Sequence, residues 1–98
     1  MGKFKMLTVI TESVLESVLV DDIEQHGAHG YTVTDARGKG DRGLRNAEWN
    51  NNSNIRIEVL CDSVVCEEIS SYLQKKYYDD YAMITFSHEI DVLRNDKF

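Results

Sequence analysis

The sequence contains no proline and only two cysteines, Cys61 and Cys66, among its 98 residues. The absence of proline excludes a proline-rich linker. Two cysteines are too few for a disulfide framework, and their spacing fits no common zinc motif, so we expect both to be small buried apolar residues. No apolar run approaches the ~20 residues of a membrane helix, and the first residues lack a signal-peptide core. We therefore expect a soluble, cytoplasmic protein.

Length and composition favour one folded domain spanning residues 1–98. Folding units commonly span ~100–150 residues, and the chain is 42% hydrophobic and 29% charged, as is usual for globular proteins. So small a domain has little interior to spare for an enclosed site. We expect any ligand to bind in a surface cleft or between subunits.

Cations are scarce, and several of them are gathered in one glycine-rich stretch. Seventeen acidic residues against eleven Lys and Arg give a net charge of −6, which disfavours nucleic-acid binding. Glycines leave backbone N–H groups accessible, and arginine binds phosphate through paired hydrogen bonds, so the stretch favours an anion site. The alternative is a solvated loop whose cations pair with Asp35, Asp41 and Glu48. The residues of the stretch are Arg37, Gly38, Lys39, Gly40, Arg42, Gly43 and Arg45.

Hydrophobic patterning predicts four strands and two helices in the order βαββαβ. Thr11 or Ser13 is expected to cap the first helix, and Asp62 or Ser63 the second. Ile90, Val92 and Leu93 are expected to form a separate docking segment. The order is that of the ferredoxin-like α+β fold. The predicted elements are strand 5–10, a helix ending near His26–Gly27, strand 30–34, loop 38–54, strand 55–61, a helix ending near Lys75–Lys76, and strand 81–86.

The glycine spacing also matches the dinucleotide-binding fingerprint G-x-G-x-x-G over residues 38–43. In that fingerprint the glycines open a helix whose N-terminus faces the pyrophosphate. The asparagine-rich residues 50–54 favour turns and cannot supply such a helix. We therefore exclude a Rossmann site, and no P-loop spacing is present.

Catalytic and metal-binding patterns are missing from the sequence. Of the three histidines, His26, His29 and His88, the first two lie around a turn with no carboxylate or thiolate at a ligand spacing, so we expect no metal site. Ser13, Ser63 and Cys66 have no histidine near them in the sequence, and we expect no catalytic residues. The tyrosines at 72, 77, 78 and 81 are expected to pack in the core or between subunits. Trp49, isolated in a polar loop, either folds back on the sheet or anchors a partner.

Five segments of the sequence carry a family resemblance: Gly27–Val33, Gly38–Arg45, Asn54–Leu60, Lys76–Ala82 and Val92–Phe98. Together they resemble the PII-like signalling proteins, and most closely those that regulate a sodium-dependent bicarbonate transporter. The resemblance spans nearly the whole chain, and the combination of the first two segments is its most specific part.

The resemblance implies a homotrimer that binds adenine nucleotides (AMP, cyclic AMP, ADP or ATP) as effectors between subunits, with no cofactor. The loop 38–54 would be the T-loop, which changes conformation with the ligand and regulates the transporter at the inner face of the membrane. Arg42 and Arg45 would hold the phosphate, and Trp49 remains the candidate partner contact. The other implied nucleotide-binding residues are Gly38, Lys39 and Gly40 at the loop base, Tyr31, Thr32 and Val33 around the nucleoside, and Ala82, Met83 and Ile84 from the neighbouring subunit.

Two departures from the family pattern qualify this expectation. Met83 stands in a stretch that often contains glycine in these proteins, which predicts a narrower pocket. The paired-cysteine extension that some relatives carry is missing after Phe98, so we expect weak or no nucleotide hydrolysis. Carbon signalling is favoured over nitrogen signalling, because the longer phosphate loop of the nitrogen regulators is missing.

Three alternatives stay open at this point. One is a carboxysome-associated PII-like protein that senses bicarbonate together with nucleotide, and another is a slow nucleotide hydrolase. The third is an RNA-binding module, since RRM domains share the strand order. The acidic charge and the lack of aromatic residues in strand 55–61 disfavour it.

Overall fold

A computed structural model describes residues 2–38 and 53–94, with side chains from residue 4 onward. The order of its elements confirms the predicted βαββαβ arrangement. The loop between the second and third strands falls largely in residues 39–52, outside the described ranges. The elements are β1 (Gly2–Glu12), a 3-10 turn (Ser13–Leu15), α1 (Glu16–Gln25), β2 (Thr32–Ala36), β3 (Asn54–Cys61), α2 (Ser63–Tyr77) and β4 (Met83–Val92).

The four strands form one antiparallel sheet in the order β2-β3-β1-β4. The long strands β1 and β4 pair along most of their length, and β1 also pairs with β3. Val9, for example, lies between Ile57 of β3 and Thr85 of β4. The edges of the sheet within one chain are therefore β2 and β4.

Both helices pack on one face of the sheet and bury the core there. Alternate residues of β3 are buried, as the alternating sequence of that strand predicts. Leu19 and Ile23 of α1 and Ile69 and Leu73 of α2 complete the cluster. The sheet residues in it are Leu7, Val9, Ile55, Ile57, Val59 and Cys61.

The first helix begins differently from the prediction. The chain is still extended at Glu12, and α1 starts at Glu16 after the 3-10 turn, with no side-chain cap on either. The predicted caps Thr11 and Ser13 donate their hydroxyl hydrogens elsewhere, to the carbonyl oxygens of Ala82 at 2.9 Å and Ser53 at 3.1 Å. Hydrogen bonds to distant carbonyl oxygens thus hold the two side chains that were expected to accept from the N–H groups of the first helical turn. For α2 the expected cap is confirmed, since the Asp62 carboxylate accepts a hydrogen bond from Val65 N at 2.8 Å.

The last strand is longer than the prediction of 81–86. Ile90 and Val92 belong to β4 and pair with Phe4 and Gly2, so the separate docking segment was wrong. The polar run from Ser87 to Glu89 interrupts the apolar pattern, so the pattern did not predict the second half of the strand. It remains extended because β1 begins early enough to supply hydrogen-bond partners.

A buried carboxylate joins the two helices. Asp22 of α1 is 7% exposed and accepts hydrogen bonds from the Tyr77 hydroxyl and, at 3.2 Å, from Lys76 Nζ. The Tyr72 hydroxyl lies 3.4 Å from the same carboxylate, and the His26 ring packs against Tyr72. Burial of the phenol and its hydrogen bond to Asp22 raise the pKa of Tyr77 to about 12. These side-chain hydrogen-bond donors to the Asp22 carboxylate therefore all belong to α2.

This contact predicts a loss of stability in alkaline solution. A tyrosine in the unfolded chain titrates near pH ~10, so between there and the folded pKa of about 12 the unfolded state loses its proton first. Below this window both states keep the proton and Tyr77 contributes no pH dependence. We expect Tyr77→Phe to make the fall of the unfolding free energy with rising pH less steep, by up to about 1.4 kcal/mol per pH unit. At neutral pH it should cost about 1 kcal/mol.

Urea unfolding at a series of pH values from about 7 to about 12 measures both the cost at neutral pH and the alkaline slope. Lys76 also has a raised pKa, chiefly through its hydrogen bonds to Tyr72 and Asp22, and its contribution is likewise lost as the pH rises. The variant should therefore keep part of the alkaline slope. Identical slopes for the variant and the natural protein would contradict the assignment to Tyr77.

The two cysteines are free and buried, as the sequence predicts. Burial raises the pKa of the Cys61 thiol to about 12. Within residues 2–38 and 53–94, no helix combines the length and the apolar character needed to cross a membrane.

Candidate functional site

Four strand ends meet at one end of the sheet. Thr11, near the end of β1, pairs with Ile55 of β3 and with Met83 of β4. Ala36, the last residue of β2, pairs with Asn54, the first residue of β3. The loop 38–54 therefore leaves and rejoins the domain at the end where β4 begins.

The predicted site residues that the structure describes fall into two groups, which lie at opposite edges of the sheet of one chain. Tyr31, Thr32, Val33 and Gly38 lie on or beside the edge strand β2. The range 82–84 begins β4, at the opposite edge, with β3 and β1 between the two. Three strand spacings of ~4.8 Å put about 14 Å between these edges. A cleft containing both groups would have to use β2 of one chain and β4 of another.

The face of the sheet opposite the helices, which we call the open face, is largely apolar along β1 and β4 and carries the ion pair of Arg56 and Glu58 on β3. Ile84 and Phe86 on this face are 55% and 40% exposed. Thr8 lies among them, fully buried, and its hydroxyl has no hydrogen-bond partner. Exposed apolar side chains that are grouped on one face are typical of a protein interface. The apolar residues that strand alternation and register assign to it are Phe4, Met6, Ile10, Leu60, Ile84, Phe86 and Ile90.

Three consecutive residues at the end of β1 hold the neighbouring chain segments in place. The Thr11 hydroxyl donates to the carbonyl oxygen of Ala82, and Ala82 N donates to Glu12 Oε2 at 3.3 Å. Ser13 N donates to the carbonyl oxygen of Ser53 at 3.0 Å, and its hydroxyl donates to the same atom. Sequence reasoning missed these roles, because the partners lie 40 to 71 residues away along the chain. No local pattern signals them.

Several predicted site residues lie outside the described residues: Lys39, Gly40, Arg42, Arg45 and the candidate partner contact Trp49. The anion site assigned to them stays a prediction. Gly38 and its neighbour Arg37 are described, and both are exposed. Arg37, the first of the clustered cations, therefore lies just beyond the end of β2, at the end of the sheet where β4 begins.

A shallow cavity lies on the helix side of the molecule, away from the strand ends. It is lined by His26, which follows α1, and by residues of α2 that include Tyr72 and Lys75. His26 lies with Nδ1 at 2.8 Å from the carbonyl oxygen of Asp22. Among the described residues, no three His, Cys, Asp or Glu side chains are grouped so that they could hold a metal ion.

Comparison with known proteins finds a family that matches nearly the whole chain. Residues 4–97 match the family described as nitrogen regulatory protein P-II. A PII-like signalling protein of Thermus thermophilus is 38% identical, with a TM-score of 0.83; the alignment covers 98% of this chain and 95% of that one.

Two structures of CPII from Thiomonas intermedia have the same fold. The one bound to ADP, AMP and acetate is 24% identical with a TM-score of 0.84, over 98% of this chain and 94% of that one. The one bound to ADP and bicarbonate is 23% identical with a TM-score of 0.84, over 99% and 95%.

Proposed function

Because the chain belongs to the P-II family and is a PII-like signalling protein, we propose that it binds adenine nucleotides between subunits and signals through the loop 38–54. The observation that carries this proposal is the separation of the two groups of site residues. One group lies at the β2 edge and the other at the β4 edge of the same sheet. A nucleotide that contacts both must bind where two chains meet.

Assembly into a ring follows from this separation. Each chain would present its β2 side to one neighbour and its β4 side to the other, which is a heterologous contact that closes into a ring. The open face, with Ile84 and Phe86 exposed, supplies apolar surface for that contact. We propose the homotrimer that the family resemblance implies.

The proposed ligand of each cleft is an adenine nucleotide. Tyr31, Thr32 and Val33 would contact the nucleoside, and Arg42 and Arg45 would bind the phosphate with the help of the glycines at the loop base. Binding would order the loop, so the two loop states would differ in nucleotide affinity by a coupling energy of ~1–3 kcal/mol. The CPII structure bound to ADP and AMP supports this ligand class.

The output is proposed to be control of a sodium-dependent bicarbonate transporter, as in the SbtB group. Trp49, in the loop, would contact that partner at the inner face of the membrane. This step rests on the resemblance of the sequence. We propose no enzymatic activity and no cofactor, since the output is binding.

A second candidate function is that of a carboxysome-associated relative, which senses bicarbonate and nucleotide together. The CPII structure bound to ADP and bicarbonate supports it. The two candidates share the cleft and differ in whether bicarbonate changes nucleotide affinity.

Calorimetry tests the proposal and separates the candidates. The purified protein is titrated with AMP, cyclic AMP, ADP and ATP, each with and without bicarbonate, and its mass is measured by light scattering. We expect a trimer that binds at least one nucleotide with one site per chain. A monomer that binds none of the four would contradict the proposed function.

A further inference from the structure

Ala82 is held from both sides by two consecutive residues of β1. Its carbonyl oxygen accepts a hydrogen bond from Thr11 Oγ1 at 2.9 Å, and its N–H donates to Glu12 Oε2 at 3.3 Å. Ala82 precedes β4 and is the first residue of the range 82–84, the proposed second wall of the nucleotide cleft. Both backbone polar groups of this residue are therefore fixed by side chains of β1.

The strand register explains why side chains are needed at this point. Backbone pairing between β1 and β4 ends with Thr11 and Met83. Ala82 lies one residue beyond that pair, where the backbone ladder stops and a strand end frays. The side chains of Thr11 and Glu12 extend the order by one residue, up to the position where the wall begins.

The two anchoring residues differ in exposure and charge. Thr11 is 2% exposed and is fixed by the core, whereas Glu12 is half-buried at the rim. A carboxylate accepts a stronger hydrogen bond from an N–H group than a neutral oxygen does, which favours glutamate as the anchor. A carboxylate repels an anionic ligand, so it is not a group that would bind a phosphate. Glu12 is thus better placed to hold the wall than to contact the phosphate.

The same stretch of chain also holds the loop root. Ser13, next to Glu12, binds the carbonyl oxygen of Ser53 through its N–H at 3.0 Å and its hydroxyl at 3.1 Å. Ser53 lies immediately before β3, where the loop 38–54 rejoins the sheet. The end of β1 therefore fixes the start of β4 and the end of the loop together.

We propose that Glu12 is a positioning residue for the nucleotide cleft, which acts by holding the N–H group of Ala82; this inference rests on the proposed function. Glu12 fixes the position of residues 82–84, the proposed wall, before this wall contacts a nucleotide that is held by the neighbouring chain. The hydrogen bond to the Ala82 N–H group is the feature that matters, and the carboxylate charge only strengthens it.

Three variants separate the hydrogen bond from the charge and from general stability. Glu12→Ala removes the acceptor, Glu12→Gln keeps an acceptor without the charge, and Thr11→Val removes the second anchor with little change of volume. Glu24→Ala, which removes an exposed carboxylate from α1, is the matched control. For each variant, AMP and ADP affinities are measured by calorimetry, and the exchange rate of the Ala82 amide is measured by NMR without nucleotide.

We expect Glu12→Ala to weaken both nucleotides about tenfold, the loss of one hydrogen bond, and to speed exchange of the Ala82 amide. Glu12→Gln should restore affinity to within about threefold, and Thr11→Val should weaken binding like Glu12→Ala. Glu24→Ala should change neither quantity. A Glu12→Gln variant as weak as Glu12→Ala would overturn the hydrogen-bond role.

The outcomes distinguish this inference from the proposed function. If the natural protein binds AMP or ADP and Glu12→Ala binds equally well, the inference fails while the proposed function stands. If the natural protein binds neither nucleotide, the proposed function fails and this inference with it. If Glu12→Ala does not fold, Thr11→Val decides, and unchanged affinity in that variant overturns positioning through Ala82.

Discussion

Replacing Phe86 with glutamate should convert the proposed trimer into monomers that do not bind adenine nucleotides. Phe86 lies on the open face, pairs with Thr8 of β1 and is 40% exposed in the single chain. In the proposed ring this surface is buried three times, once per chain. An unpaired carboxylate buried at each contact costs several kcal/mol, which is enough to dissociate the assembly. Light scattering gives the mass, and calorimetry with ADP gives the binding.

The matched control is Val64→Glu. Val64 is also an exposed apolar residue, at 73%, but it lies on α2 at the other side of the molecule. This variant should remain a trimer with natural affinity, although it carries the same charge change. Phe86→Glu with the mass and affinity of the natural protein would show that the open face is not the interface.

Replacing Arg45 with alanine should weaken ADP binding by about 10- to 150-fold without unfolding the domain. This range corresponds to the ~1.5–3 kcal/mol of one charge-assisted hydrogen bond. Arg42→Ala should behave alike, since the two cations are spaced three residues apart in the same glycine-rich stretch. The measurement is calorimetry at one fixed ionic strength, because screening by salt weakens exposed charge pairs.

Two controls make the Arg45 result specific for phosphate. Lys75→Ala removes an exposed cation from the last turn of α2 and should leave ADP affinity unchanged. Adenosine, which lacks phosphate, should bind the natural protein and Arg45→Ala equally. An equal loss for adenosine and ADP would remove Arg45 from the phosphate site and assign it a general effect on the cleft.

The sheet was predictable wherever one face of a strand is buried. The clean alternation from Ile55 to Cys61 gave β3 almost to the residue, because only one register buries its apolar side chains. The second half of β4 was missed, since polar residues from Ser87 to Glu89 occupy both of its faces. Pairing with β1 keeps those residues extended, and that pairing is not a local property.

The composition of the candidate site is visible in the sequence, and the placement of its described residues is not. The gathering of cations and glycines around Arg42 and Arg45 is visible in the sequence, as is the resemblance that nominates the range 82–84. Local patterns could not show that Thr11 and Glu12 hold Ala82, because the groups lie 70 and 71 residues apart in the chain. They also could not place the two groups at opposite edges of the sheet, since strand order is set by the whole fold.

A subunit-mixing experiment tests most directly whether the nucleotide site is shared between two chains. Arg45→Ala damages the loop side of the cleft, and Ala82→Glu places a carboxylate on the β4 wall, so each variant alone should bind ADP weakly. In trimers formed by refolding equal amounts together, about one quarter of the clefts combine an intact loop with an intact wall. We predict that the mixture regains sites of natural ADP affinity in that proportion. A mixture that binds no better than its two components would place the whole site within one chain and contradict the account.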